Sequence, residues 1–205
     1  MLVIRSSPSS PFGRKVKIAA ALCALTDRLR VEPANTRDPG DSLREQNALG
    51  KIPVLITDDG TTLYDSRVIV EWMDVQAGGG VIIPQVEARF AALTLQALAD
   101  GMMDASILIV YEHRFRPGEM HHRPWTEYQG EKVARALSVL EAAPPAIGQR
   151  PHIGHVALAC ALSYLDFRFD GDWRAGNPGL VAWLDDFAAK VPAFAATMPA
   201  DPPPA

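Results

Sequence analysis

The spacing of apolar positions changes about two fifths of the way along the chain, and the change divides it. Up to residue 77, short runs suited to strands alternate with helical stripes. Leu2-Val-Ile-Arg5 is a short apolar strand, ended by Ser6-Ser7-Pro8-Ser9-Ser10. A helix is predicted over 12–25, with Val16, Ile18, Ala19, Leu22 and Leu25 on its apolar stripe. Leu29-Arg-Val-Glu-Pro33 reads as a second strand. Pro33, Pro39 and Gly40 keep the next stretch irregular apart from one helical turn at 42–47. Pro53-Val-Leu-Ile-Thr57 and Thr61-Thr-Leu-Tyr64 flank Asp58-Asp-Gly60, a hairpin signal because glycine supplies the positive φ of the turn. Asp65-Ser66 then caps a helix carrying Val68, Ile69, Trp72, Met73 and Val75, and Gly78-Gly-Gly80 stops it.

Residues 78–86 read as a linker, and 87–205 as wholly helical. The first helical segment runs from Glu87 to about Tyr111, with an interruption or bend expected at Gly101 and a break at Pro117-Gly118. Thr126-Glu-Tyr-Gln129 has the form of a capping box, placing a helix start there, and Pro144-Pro145 ends that helix. Residues 153–167 are apolar nearly all round, as a fully buried central helix would be. Asn177-Pro178 opens the last clear helix, with Leu180, Trp183, Leu184 and Phe187 inward. Asp201-Pro-Pro-Pro-Ala205 is expected to fray.

Composition narrows the class. With 205 residues, 48% of them apolar and 21% charged, the chain can bury a real core. No uninterrupted apolar run reaches the ~18 residues of a membrane span, and the first residues are too short an apolar stretch for a signal peptide. A net charge of −4 argues against a nucleic-acid partner, which asks for a basic face. Cys23 and Cys160 stand far apart inside apolar helical patterns, so neither a disulfide framework nor a zinc site is expected. A cytoplasmic globular protein, not bound to a membrane, is the expectation.

Three short features in the first half carry candidate chemistry. Ser9-Ser10-Pro11-Phe12 falls between the first strand and the first helix, where unpaired N–H groups and a partial positive charge favour an anion. A serine hydroxyl there can donate to a bound thiolate, or can simply cap the helix. Gly50-Lys51-Ile52-Pro53-Val54-Leu55 places a proline at the start of a strand, where a cis peptide would turn the Ile52 backbone outward to pair with an extended peptide. Asp65-Ser66 at a helix start can hold a carboxylate through Ser66 and an ammonium through Asp65, or again only cap. Glu112-His113, Glu119, His121 and His122 lack the i, i+4 histidine spacing of a helical metal site, and no metal is expected. No Gly-x-Ser-x-Gly occurs, which removes the usual serine-hydrolase reading.

Together, in this order, these features resemble the glutathione-binding domain of cytosolic glutathione transferases. The segments Ser9-Ser-Pro-Phe-Gly-Arg-Lys-Val16, Asn47-Ala-Leu-Gly-Lys-Ile-Pro-Val-Leu55 and Ala157-Leu-Ala-Cys-Ala-Leu-Ser-Tyr-Leu-Asp-Phe-Arg168 are similar to bacterial members of the serine or cysteine type. The resemblance covers nearly the whole chain. It implies an α/β thioredoxin-like domain over 1–77, followed by an α-helical bundle domain over 87–205 that lines an electrophile site. It further implies glutathione as cosubstrate, a homodimer and a detoxifying transferase. By the same resemblance Ser10 would activate the thiol, with Ser9 as the fallback, and the Ile52 backbone beside a cis Pro53 would pair with the cysteinyl unit. Asp65 and Ser66 would hold the γ-glutamyl end, and Lys51 and Arg37 the glycyl carboxylate. Asp104 would reach the γ-glutamyl ammonium across a dimer interface. The small hydrophobic electrophile would lie against Met102, Met103, Ser106 and Tyr111, although a Met and aromatic stripe at helical spacing is more often core, and Tyr111 and Arg114 could polarise a leaving group.

Two departures from the family pattern stand out. The buried helix of the family opens with Ser or Thr and an Asp three residues later, whereas here the positions read His152-Ile-Gly-His155. Serine, rather than cysteine, at 9 and 10 favours conjugation or isomerisation over mixed-disulfide chemistry, since a hydroxyl can only hydrogen-bond a thiolate. A glutathione-dependent cis–trans isomerase of the maleylacetoacetate type and a non-catalytic ligand-binding scaffold are the alternatives.

Overall fold

The computed structural model describes residues 1–201, so all but the first residue of the tail expected to fray lies outside the described residues. Strand β1 (Leu2–Ser6) turns Leu2 and Ile4 into the core, as its alternation demands. Helix α1 (Pro11–Leu22) starts on a proline in its first turn. It ends three residues before the predicted limit because the chain turns at Ala24, where φ is 55°. Strand β2 (Leu29–Pro33), the single turn α2 (Leu43–Gln46), strands β3 (Val54–Ile56) and β4 (Thr62–Leu63), and helix α3 (Ser66–Gln76) follow in the expected order. The sheet order is β2-β1-β3-β4, with β1 and β2 parallel and the other pairs antiparallel. Gly60, at φ 85°, makes the predicted turn between β3 and β4.

Between α3 and the helical half, Asp74 straightens the crossing. Its carboxylate accepts from the backbone N–H groups of Gly80, Ile82 and Ile83 at 2.7–3.1 Å, which fixes a stretch rich in glycine. Helix α4 (Glu87–Phe115) then runs through Gly101 without the interruption that glycine suggested. One glycine costs a helix only ~1 kcal/mol, and burial of Ala99, Met102 and Met103 on either side outweighs it. Over part of its length α4 is apolar enough to cross a membrane by length and composition alone, but it packs in the bundle against α5 (Arg123–Ala142) and α6 (Ile153–Arg168). Helix α5 begins before the expected capping box: Pro124 lies in its first turn, and Thr126, already helical, donates its hydroxyl back to the Arg123 carbonyl at 2.9 Å. Helices α7 (Pro178–Lys190) and α8 (Pro192–Ala196) complete the bundle. The Glu141 carboxylate caps α7 by accepting from the N–H groups of Gly179 and Leu180, both at 2.8 Å.

Helix α6 is the centre of the bundle and is buried on every side from Ile153 to Leu165. Gly154 lets it touch α4, since a Cβ there would stand 2.6 Å from the Ala92 carbonyl oxygen. Its N-terminus is closed by a capping box made of two imidazoles. His152 Nδ1 accepts from Gly154 N–H, and His155 Nδ1 accepts from His152 N–H, each at 3.1 Å. The rings stack at 3.6 Å between centroids. Both Nδ1 atoms must be unprotonated to accept. Burial, and then the neighbouring His152, push His155 down to about 4, and burial lowers His152 as well.

A histidine whose folded pKa is depressed contributes stability that is complete above its unfolded value near 6.5 and is lost as pH falls toward about 4. Urea unfolding of the wild type and of His155→Gln, which keeps an acceptor but does not titrate, isolates this contribution. Between pH 7 and pH 5 the wild type should lose about 2 kcal/mol more than the variant; equal losses would show that the imidazole is not held neutral.

Candidate functional site

Strand register gathers the three sequence features at one edge of the sheet. β1 and β3 pair Arg5 with Val54, so the residues that follow, Ser6 and Ser7, continue toward Pro53 and Ile52. β4 ends at Leu63 opposite Leu55, which leaves Ile52 beyond the end of that ladder and brings the chain round to Asp65 and Ser66. The Ile52–Pro53 peptide is cis, and so is Tyr64–Asp65. The N-terminus of α1 opens at the same edge.

Helix α1 starts at Pro11, which makes Ser10 its N-cap. The Ser10 Oγ accepts from Gly13 N–H at 3.1 Å and the side chain is nearly buried. An oxygen that accepts in this way still has its own proton to donate, so capping and donation to an anion are compatible. Gly13 is needed at this spot because a Cβ would fall 1.9 Å from Ser6 Oγ. Ser9 is half-buried and shares a 3.0 Å hydrogen bond with Ser7 Oγ.

Asp65 caps α3 by accepting from Arg67 N–H at 2.8 Å, and Ser66 is buried as the first helical residue. Lys51 is exposed, and its carbonyl is held by Asn47 Nδ2 at 2.9 Å. Arg37 lies exposed on the irregular segment between β2 and α2. That segment is pinned from below by Arg5, whose guanidinium reaches Asp41 at 2.7 Å, Ser42 at 2.9 Å and Gln46 at 3.0 Å. Met102 and Ser106 prove to be interior: they are 2% and 1% exposed, and Ser106 spends its hydroxyl on the Met102 carbonyl. Met103 is likewise buried, so of the residues expected to line an electrophile site only Tyr111 and Arg114 reach the surface.

Charges that the sequence reading did not single out lie beneath this edge. Asp100, on α4, is buried and accepts from Lys15 Nζ at 2.7 Å and from Arg67 Nε at 2.8 Å. It thus joins α1, α3 and α4 through Arg67, the residue after Ser66. Burial lowers the Lys15 ammonium, and Asp100 holds it back up. Partial burial and the charge of Asp100 push Asp104, one turn further on, upward. Nothing in local spacing marks Lys15 as buried, because a lysine on a helix is ordinarily solvated; only its place in the 9–16 segment pointed to it.

The histidine-rich end of α4 is occupied by contacts within the chain. Glu112 accepts from His122 N–H at 2.8 Å, and His113 and His121 pack edge to face at 4.5 Å. Among the described residues no group of three or more His, Cys, Asp or Glu could hold a metal. Cys23 and Cys160 are buried free thiols, pushed up by burial to about 12 and about 11.

A small mixed sheet with cis-Pro53 at the head of β3, joined to a helical bundle, defines a thioredoxin-like domain followed by an all-helical one. Residues 9–76 match the family model described as Glutathione S-transferase, N-terminal domain, and residues 123–186 match Glutathione S-transferase, C-terminal domain. The chain belongs to the glutathione transferase family. It is 31% identical over 198 residues to the uncharacterised GST-like protein YibF of Escherichia coli K12, covering 94% of this chain and 96% of that one. A family member from Pseudomonas fluorescens Pf-5, solved with bound glutathione, is 40% identical with a TM-score of 0.90 over 98% of this chain and 100% of that one. The same organism's protein with bound S-(propanoic acid)-glutathione superposes with a TM-score of 0.87, at 40% identity and the same coverage. A glutathione transferase from Methylobacterium radiotolerans in complex with glutathione sulfonate is 28% identical, with a TM-score of 0.89 over 100% and 97% of the two chains.

The Asp100 junction makes a prediction of its own. Asp100→Leu leaves Lys15 charged and unpaired in the interior and should cost about 3–5 kcal/mol in urea unfolding. Lys15→Met together with Asp100→Leu should recover most of that loss, since Arg67, half exposed, can turn to water. A double variant as unstable as the single one would show that the packing around Asp100, not its charge, carries the cost.

Proposed function

We infer that this protein is a glutathione transferase that binds glutathione along the edge formed by Ser10, Ile52 and Asp65-Ser66 and activates its thiol for attack on an electrophile. The observation that carries the reading is the state of Ser10: a helix N-cap whose oxygen is already engaged and whose proton is free, at the positive end of α1. A thiol of pKa near ~8.5 is only a few per cent ionised at neutral pH. Lowering it by about two units takes ~2.7 kcal/mol, within reach of one charge-assisted hydrogen bond and a helix N-terminus. The Ile52 backbone, left beyond the β3–β4 ladder, is placed to pair with the cysteinyl unit. Asp65 and Ser66 face the γ-glutamyl end in this reading, with Lys51 and Arg37 toward the glycyl carboxylate. Ser9, half-buried beside Ser7, is the fallback donor. The electrophile enters on the Tyr111 side, where α4 reaches the surface. Relatives solved with glutathione, S-(propanoic acid)-glutathione and glutathione sulfonate support a site for glutathione and for groups carried on its sulfur. A homodimeric, cytoplasmic enzyme concerned with detoxification is the setting that family membership supports.

The test compares Ser10→Ala and Ser9→Ala with the wild type. The thiolate of bound glutathione is followed by its ultraviolet absorbance against pH, and turnover with an aryl halide is measured beside it. Ser10→Ala should raise the bound thiol's pKa by about one to two units and cut turnover about tenfold or more, while Ser9→Ala changes both little. Ser10→Ala with an unaltered thiol pKa and unaltered turnover would remove Ser10 from the mechanism.

A further inference from the structure

Beyond Tyr111, the surface where α4 and α6 end is not the plain apolar one that a hydrophobic electrophile asks for. Two pins fix how these helices lie together. Gly154 sits against Ala92 and Leu95, and the adjacent α1 residues Arg14 and Lys15 reach Ser163 and Asp100. The helices therefore run side by side in the same direction, and at 1.5 Å per residue the end of α6 at Arg168 comes level with about residue 107 of α4. Tyr164 and Arg168, one turn apart on α6, thus approach Tyr111 and Arg114 on α4. Arg114 lies over the Tyr111 ring at 5.6 Å, and the Tyr164 phenol, pushed up by burial, is drawn back by Arg168 and Arg114. This cluster adjoins the proposed thiol site: Arg14 touches Ser163, the neighbour of Tyr164, at 2.5 Å, and Ser10 is one helical turn, ~6 Å, from Arg14.

Arg168 has the features of a carboxylate receptor. Its guanidinium lies over the Phe167 ring at 4.0 Å and its side chain is 15% exposed. Its Nε is buried without a hydrogen-bond partner among the described residues. One carboxylate is already there: Asp201, 69% exposed, accepts from Arg168 Nη1 at 2.9 Å. A carboxylate so exposed returns to water at little cost, and the unused Nε–H offers an incoming one a second bond.

Resting on the transferase reading, we propose that the electrophile carries a carboxylate, which takes the place of Asp201 on Arg168 with Arg114 at the rim, and presents its reactive carbon to the glutathione sulfur over α1. With an aryl chloride of this kind, the thiolate sulfur bonds the ring carbon, the carbon–chlorine bond breaks and chloride leaves with the bonding pair. The thiol proton has by then passed to solvent.

Benzoate and benzamide, alike in shape and different in charge, probe the site without reacting. Their binding is titrated by calorimetry with and without glutathione, alongside glutathione itself. The wild type should bind benzoate about tenfold more tightly than benzamide. Arg168→Gln should abolish that preference, Arg114→Gln should reduce it, and Asp201→Asn should strengthen benzoate binding by removing the internal competitor. Equal binding of the two probes, or a preference that Arg168→Gln leaves intact, overturns the proposal; so does weaker benzoate binding in Asp201→Asn. Should Arg168→Gln lose its circular-dichroism helix signal, the two surface variants decide. Glutathione binding without a benzoate preference would overturn this inference alone, whereas the preference without glutathione binding would overturn the transferase reading and leave the anion site standing.

Discussion

Two adjacent cations on α1 have no water to turn to, and the molecule is built around that constraint. Arg14 is 1% exposed and Lys15 0%. The partners that satisfy them come from the far half of the chain: Ser163 Oγ, the Phe194 carbonyl and ring for Arg14, and Asp100 for Lys15. An unpaired ammonium or guanidinium in such a place would cost several kcal/mol, so α1 can dock on α4, α6 and α8 in only one register. Apolar packing alone would tolerate some sliding. The charges do not.

That register decides what the site can do. Ser10 caps the same helix one turn before Arg14, so the fixed contacts of Arg14 and Lys15 set where the cap hydroxyl stands relative to Tyr164 on one side and Ser66 on the other. Asp100 carries the alignment on through Arg67 to the head of α3. In the proposal, the helix dipole, the Ser10 proton and the guanidinium of Arg168 are positive features serving one site, in a chain whose formal net charge is −4. Local electrostatics here run against the overall charge, which is the usual sign of a surface that serves an anion. The thiolate belongs to the proposed function, and the carboxylate on Arg168 to the further inference.

Much of the fold was legible because it rests on local rules. The strand alternation of Leu2 and Ile4, the Gly60 turn and the Asn177-Pro178 helix start each follow from a few neighbouring residues. Helix boundaries were misread where tertiary contacts outweighed local preference: α4 continues without a break through Gly101, and α5 starts ahead of Thr126. The site divides in the same way. Ser9, Ser10, Ile52, Pro53, Asp65 and Ser66 could be singled out because each belongs to a short motif, and the strand register brings them to one edge of the sheet. Met102 and Ser106 could be read either way because apolar spacing identifies a face without saying whether another helix covers it, and both are interior. That Lys15, Asp100 and Arg168 are paired was not legible, because a charge is presumed solvated until its partner, here 85 residues away for Lys15 and 33 for Arg168, is seen. The histidine pair opening α6 was noticed as a departure, but its meaning lies in the stacking of the rings and in two acceptor nitrogens, which only coordinates reveal.

The central claim is that glutathione is held at α1 as a thiolate. Calorimetric titration of glutathione at pH 7, in two buffers of different ionisation enthalpy, reads this directly. Proton release of more than about half an equivalent per glutathione bound, seen as a difference in apparent enthalpy between the buffers, is the predicted result. Binding without proton release, or no binding at millimolar glutathione, would contradict it.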